Sequence, residues 1–325
     1  MTPPARSGPR SILRLAAVLG VLLVPPGDPV SAQGSCRDHP LAVQVLGSGG
    51  PFAGGDRASS GYLVWRDGRA AVMVDVGGGT FLRFGEAGAT LDELSLLAVS
   101  HLHPDHVADL PALLWLSEMA RRRPLPIAGP FGGGGFPPFD RFLARLFDST
   151  GAFPVLSGAL GRGGQGVPLD LTVVDEAGTT PRQVYAEPGL TVTALPVPHG
   201  PVPTIGYRVE TGGKTIVFGS DQNGTDPAFA GFARGADLLV MHLAIAERAP
   251  PPIARLHARP STVGDVARAA GASRLLLSHV MEAPASVEAR TWFSSAALDE
   301  ALALVRERYS GPVELAKDLG CVPIE

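Results

Sequence analysis

The sequence predicts an α/β fold in a single domain, and three observations carry that reading. Short apolar runs of strand length alternate with stretches of helical periodicity. Histidines and carboxylates stand just past the ends of several of those runs rather than inside them. The composition, 45% hydrophobic and 18% charged over 325 residues, supplies ample core and no mark of disorder, and α/β folds of this length are commonly one domain.

The N-terminus is expected to lie outside that domain. Arg6, Arg10 and Arg14 precede the apolar run 15–24, and Val30-Ser31-Ala32 offers small residues for cleavage before Gln33. An apolar run of about ten residues is too short to span a bilayer, and Pro25-Pro26-Gly27 separates it from the rest of the chain. Residues 1–32 therefore read as a cleaved secretory signal and 33–325 as the folded domain, placed in the periplasm or secreted with no stable membrane insertion. Removing three arginines and Asp28 with the signal takes the formal charge from −4 to −6. Cys36 and Cys321 are the only cysteines, and neither neighbours a histidine motif. In an oxidising compartment, cysteines at opposite termini of one domain predict a disulfide, because domain termini often lie close together.

Residues 41–46, 61–65 and 71–76 read as short strands, with Asp67-Gly68 as a hairpin signal. Residues 94–100 read as a buried strand that runs into His101-Leu102-His103-Pro104-Asp105-His106. Residues two apart at a strand end point to one side, so His101 and His103 face together. Pro104 suits the first turn of a helix, predicted to continue to 119 with Leu110, Leu113, Leu114 and Trp115 on its core face. Asp105 and His106 at the helix entrance then turn back toward the two histidines. Such ligand density in one short loop points to metal, and suits two ions better than one.

The second half supplies more ligands. The strand 192–197 leads to His199, the strand 215–219 to Asp221 and the strand 274–278 to His279. Singly, each has an ordinary alternative as a turn residue or a satisfied core histidine. Jointly, strands ending along one sheet edge aim these side chains into one cleft. Residues 129–166 are glycine-rich around one amphipathic helix, 140–147, and Phe131, Phe136 and Phe139 are candidates for an apolar lid. Gly213-Lys214-Thr215 is a hairpin turn rather than a phosphate loop, because Arg208 stands where the first glycine is required.

The H-x-H-x-D-H loop after an apolar strand resembles the signature of the metallo-β-lactamase superfamily. Leu46-Gly47-Ser48-Gly49-Gly50-Pro51, Arg57 and Ser59-Ser60-Gly61-Tyr62-Leu63-Val64 resemble the opening of its ribonuclease Z and arylsulfatase-like branch, and Val74-Asp75-Val76-Gly77 matches the strand-end Asp-x-Gly turn. The resemblance implies a four-layer αββα sandwich and two zinc ions. His101, His103 and His199 would hold the first ion, and Asp105, His106 and His279 the second. Asp221 would bridge them. Two ions about 3.5 to 4 Å apart can share a water and lower its pKa toward about 7, so hydrolysis needs no protein nucleophile.

The resemblance and the export signal together imply an exported metal-dependent hydrolase, and the expected substrate is a small-molecule ester: an aryl sulfate, a phosphodiester or a lactone. No nucleic-acid partner is expected, since arginines are scattered, lysines number only Lys214 and Lys317, and there is room between His199 and Asp221 only for a hairpin. The alternatives are a ribonuclease Z-like phosphodiesterase on nucleic acid and a non-catalytic metal-binding protein of the same fold. A homo-oligomer is compatible with the sequence. In Arg259-Pro260-Ser261-Thr262, Pro260 stands where the ribonuclease Z branch carries a relay histidine. His257 is the candidate to replace it as proton donor to the leaving group, which makes Asp105, Asp221 and His257 the expected catalytic set. His242 stands where that branch carries a glutamate; its role, and any role for His39, is not legible in the sequence.

Overall fold

A computed structural model describes residue 1 and residues 35–116, 123–175 and 180–325. The expected signal segment lies outside the described residues. Ser35–Glu325 form one compact unit. No described helix is long and apolar enough to cross a membrane.

Two mixed sheets are built among the described residues. The first orders its strands β14-β1-β2-β3-β4-β5-β6, from β1 (Leu41–Gly47), β2 (Gly61–Arg66), β3 (Arg69–Val74), β4 (Leu96–Ala98), β5 (Leu125–Gly129), β6 (Leu169–Val173) and β14 (Cys321–Pro323). The second orders them β13-β12-β11-β10-β9-β8-β7, from β7 (Arg182–Glu187), β8 (Leu190–His199), β9 (Val202–Thr211), β10 (Lys214–Phe218), β11 (Leu238–His242), β12 (Leu275–Ser278) and β13 (Val313–Leu315). The two-residue side-chain period divides β2 between two cores: Tyr62 and Val64 point inward to meet Ile205, Tyr207 and Phe218 of the facing sheet, while Leu63 and Trp65 point outward. The outward face of the first sheet is covered by α1 (Thr80–Glu86), α3 (Leu110–Leu116) and α4 (Phe139–Phe147). That of the second is covered by α5 (Pro227–Phe232), α7 (Pro260–Ala270) and α8 (Leu298–Arg308), with the single turn α6 (Pro251–Ala254) leading into α7. Burying both faces of each sheet gives the four-layer αββα sandwich.

The helix expected from Pro104 onward is broken. A single turn, α2 (Pro104–Val107), is separated from α3 because the Asp109 amide donates to the Val76 carbonyl at 3.1 Å instead of continuing the helical ladder. The Asp109 carboxylate accepts from the Gly79 and Phe81 amides at the start of α1, at 2.8 and 3.0 Å. Gly77 permits this approach: a Cβ there would lie 2.1 Å from the Asp105 carbonyl oxygen. Leu110, Leu113 and Leu114 are buried as expected, but Trp115 is 49% exposed, so it does not share their core face. The hairpin at Asp67-Gly68 has both residues at positive φ, 49° and 75°, as a type I′ turn requires.

Cys36 and Cys321 are bonded, with Cα atoms 5.4 Å apart. The bond ties the start of the unit to β14, which pairs with β1. Arg57 pins the opening glycine loop nearby, donating to Ser48 Oγ at 2.6 Å, to the Ala316 carbonyl at 2.7 Å and to Glu282 at 2.9 Å. Because the cross-link closes a long loop, replacing both cysteines with serine is expected to lower unfolding free energy by about 2–5 kcal/mol. Urea melts of the two proteins measure this, and coincident melts would show that the bond constrains nothing.

Candidate metal centre

Backbone turns at the sheet ends bring the expected ligands together. His101 follows β4, His199 ends β8, Asp221 follows β10 and His279 follows β12. Three residues at these turns, Asp75, Ser220 and His279, hold positive φ of 62°, 55° and 55°. Non-glycine residues rarely adopt this conformation, so the surrounding packing must hold them there.

Two groups of donor atoms with no residue in common result, His101, His103, His199 and Asp221 in one and Asp105, His106 and His279 in the other; a third, Asp221, His242 and His279, overlaps both. Within the first, His101 Nε2 lies 3.0 Å from His103 Nδ1, His199 Nε2 lies 3.5 Å from His103 Nδ1, and Asp221 Oδ2 lies 3.7 and 3.5 Å from the His101 and His199 nitrogens. Within the second, His279 Nε2 lies 3.3 Å from His106 Nε2 and 3.2 Å from Asp105 Oδ2. Bonds of about 2.0–2.1 Å in tetrahedral geometry put neighbouring ligand atoms about 3.3 Å apart, so both groups have the dimensions of a tetrahedral metal site. Ring nitrogens facing one another this closely also repel unless a proton or a cation lies between them. The donor set therefore fits a metal.

Asp221 touches both groups. Its Oδ2 faces His101, His199 and, at 3.7 Å, His106, while its Oδ1 faces His279 at 3.5 Å. The ring atoms turned away from the centre have partners that fix tautomers. His199 Nδ1 donates to the Leu256 carbonyl at 2.6 Å. His106 Nδ1 lies 2.8 Å from Asp75 Oδ2, and Asp75 also accepts from the Ser100 amide and hydroxyl at 2.7 and 2.8 Å. Asp75 was legible as a turn residue but not as the partner of a histidine 31 positions away; only the fold joins them.

Burial holds the His101, His103 and His199 pKa values below the ordinary imidazole value, so these rings keep a lone pair for a metal. Burial pulls His106 down too, but Asp75, Asp105 and Asp221 outweigh it and carry its pKa up to about 9. Burial favours neutral Asp105, but His106 and His279 draw its pKa down to about 2. Asp221 is likewise held well below the carboxylate range, because His279, His257 and His199 outweigh its burial. Both carboxylates are anions.

His257 is buried, with Nδ1 3.7 Å from Asp221 Oδ1 and no hydrogen-bond partner. Burial lowers its pKa to about 3 despite Asp221, so it is neutral at pH 7 and is not a ready proton donor. Pro260 occupies the first turn of α7 and brings no titratable group. His242, unassigned by the sequence, also reaches Asp221. Of the three phenylalanines expected to form a lid, Phe139 is core and Phe131 packs against the inner core; Phe136 alone meets the site, edge-on to His103 at 5.5 Å. His39, near the start of the unit, is outside these groups.

Comparisons with known proteins bear on the family and the fold. A family model described as a β-lactamase superfamily domain matches residues 146–280. The ribonuclease Z of a Mycobacterium species (strain KMS) is 32% identical over 275 residues, covering 79% of this chain and 90% of the relative. That of Mycobacterium bovis (strain BCG / Pasteur 1173P2) is 28% identical over 299 residues, covering 87% and 98%. The crystal structure of the metallo-β-lactamase fold protein YhfI from Bacillus subtilis superposes with a TM-score of 0.65 at 23% identity, covering 87% of this chain and 98% of that one, which shows the fold. The ribonuclease relatives overturn the expectation of a small-molecule ester substrate with no nucleic-acid partner. That expectation rested on scattered arginines, only two lysines and the short connection between His199 and Asp221, and the charge distribution along a chain says nothing about the charge a metal cluster brings to a single phosphate.

A metal must displace the His106 proton to use its nitrogen. In the metal-free protein, the stability that proton contributes is complete below the unfolded value near 6.5 and is lost as pH rises through about 9. Metal affinity should therefore rise across this window, by up to about tenfold per pH unit for one proton. Calorimetric titration of metal-free protein with zinc at pH 8, in buffers of different ionisation enthalpy, should report at least about one proton released, since, despite burial, Asp221 and Asp105 raise the His279 pKa as well. Buffer-independent heats would contradict the His106 assignment.

Proposed function

Because the chain belongs to the ribonuclease Z-like branch of the metallo-β-lactamase superfamily and is a metal-dependent hydrolase, we propose that it cleaves phosphodiester bonds in RNA at a two-ion centre. His101, His103 and His199 hold one ion, Asp105, His106 and His279 the other, and Asp221 is shared. Zinc suits this set of imidazoles and carboxylates best. The observation that carries the reading is Asp221, whose two oxygens face the two groups in a chain akin to ribonucleases along most of its length.

When bound, two such ions supply Lewis acidity toward the phosphoryl oxygens and lower the pKa of a water between them toward about 7. The protein's own residues do the rest. A cavity of about 330 Å³ opens over His103, Asp105, His199 and Asp221, walled by Phe52, Ile253, Leu256 and Phe293. Those apolar walls limit water around the reacting phosphate and strengthen the electrostatics within. Neutral His257 lies on the cavity wall with Nδ1 unpartnered. It can accept the proton of the attacking water and return it to the departing ribose oxygen, acting as a shuttle rather than a standing acid.

The Cys36–Cys321 bond supports export through a cleaved segment 1–32, with residues 33–325 as the mature domain, since disulfides persist in oxidising compartments.

Zinc-reconstituted protein is expected to cleave an RNA oligonucleotide. His257→Ala should lower turnover on RNA by about 10²–10⁴ and bis(p-nitrophenyl) phosphate turnover by a smaller factor, because nitrophenolate departs without a proton and only the base half of the shuttle is then lost. No cleavage of RNA would contradict the substrate, and equal losses on both substrates would contradict the shuttle.

A further inference from the structure

His242 ends β11 at the inner end of the metal centre, buried, and belongs to neither of the two ligand sets assigned to the ions. Its Nδ1 lies 2.5 Å from Asp221 Oδ1. Its Nε2 lies 3.3 Å from the Tyr62 hydroxyl, which is in turn 2.8 Å from Ser278 Oγ. The ring stacks on His279 with centroids 4.5 Å apart and planes 17° from parallel. Tyr62 is on β2 of the first sheet; His242 and Ser278 are on β11 and β12 of the second. The contacts thus form a chain across the sandwich that terminates on the shared carboxylate.

Asp221, His242 and His279 also lie close enough to be counted as a third potential ligand group. The distances argue against that use. The neighbouring donor pairs described above lie 3.0 to 3.7 Å apart, as ligands of one ion should. Metal bonds of about 2.05 Å to two atoms only 2.5 Å apart would close the angle between them to roughly 75°, far from tetrahedral. A separation of 2.5 Å is instead that of a short hydrogen bond to an anion. A carboxylate, the form in which Asp221 can serve a metal, only accepts, so Nδ1 carries the hydrogen and Nε2 is an acceptor. The Tyr62 hydroxyl can donate to it when Ser278 Oγ in turn donates to the Tyr62 oxygen.

We propose that His242 is a positioning residue for Asp221. Its Nδ1–H fixes Oδ1 and thereby sets the carboxylate plane before metal arrives, leaving Oδ2 aimed at His101, His106 and His199. Tyr62 holds the imidazole in the tautomer that can donate, and the stacked His279 ring prevents it from swinging away. Without the imidazole, Asp221 turns about its side-chain bonds and can satisfy one group but not both. This rests on the two-ion reading above.

The test is zinc binding by metal-stripped protein, followed by competition with a chelating dye, and the visible spectrum of the cobalt-substituted form. His242→Asn keeps an N–H donor at about the reach of Nδ1; His242→Leu keeps bulk and removes the donor. The leucine variant is expected to bind one zinc as wild type does and the other about 10- to 100-fold more weakly, in the range seen when outer partners of metal ligands are lost. Its second cobalt equivalent should have an altered spectrum, while the asparagine variant stays within a few-fold of wild type. Tyr62→Phe removes the partner of Nε2, together with the Ser278 hydrogen bond, without altering His242 itself, and should weaken the same ion by a smaller factor, so the proposal stays testable even if the leucine variant fails to fold. Two wild-type-like zincs in His242→Leu, an asparagine variant as weak as leucine, or a Tyr62→Phe variant that binds as wild type when leucine does not fold, would overturn this proposal alone. A wild-type protein that takes a single zinc would overturn both it and the two-ion reading.

Discussion

The structure depends on one carboxylate being held where two clusters of imidazoles meet. Asp221 is buried and ionised, which costs heavily unless cations or donors surround it. Six histidines, His101, His106, His199, His242, His257 and His279, lie within 3.7 Å of one of its oxygens; His242 is within hydrogen-bond reach, the raised pKa of His106 makes it a cation, and the lone pairs of His101 and His199 suit a metal. They arrive from several sheet ends and connections. Both sheets must therefore be complete, and in register, before the centre exists.

That requirement explains features of the frame that would otherwise look unrelated. Positive φ at Asp75, Ser220 and His279 occurs where the chain turns sharply from a strand to aim a side chain at the centre or its immediate supports. The helix after His103 breaks so that Asp109 can bond both Val76 and the start of α1, which locks the ligand loop to the turn carrying Asp75. Asp75 then fixes His106, and through Ser100 it reaches the loop that carries His101 and His103. The Cys36–Cys321 bond and Arg57 hold the first and last strands together.

Much of the centre was legible in the sequence because its residues are local or follow obvious strands. His101, His103, Asp105 and His106 share six positions, and His199, Asp221 and His279 each stand just past an apolar run. The four-layer fold was legible through the same motifs. Contacts between distant, individually unremarkable residues were not: Asp75 on His106, Tyr62 on His242 and the Leu256 carbonyl on His199 require the folded sheets. The state of His257 was not legible either, since its low pKa comes from burial rather than from any neighbour in sequence. Trp115 shows the limit of periodicity, which aligned it with a buried face although the chain leaves it half exposed. The expectation of no nucleic-acid partner, drawn in part from charge composition, is overturned by the ribonuclease relatives; a phosphate at a metal centre need not meet a basic surface.

The most direct measurement of the shared-carboxylate centre is a crystal structure of zinc-reconstituted protein with anomalous data collected on both sides of the zinc edge. Two anomalous peaks are expected, one about 2.0–2.2 Å from the ring nitrogens of His101, His103 and His199 and the other at that distance from Asp105, His106 and His279, with an Asp221 oxygen reaching each. A single fully occupied peak, or two peaks that Asp221 does not join, would contradict it.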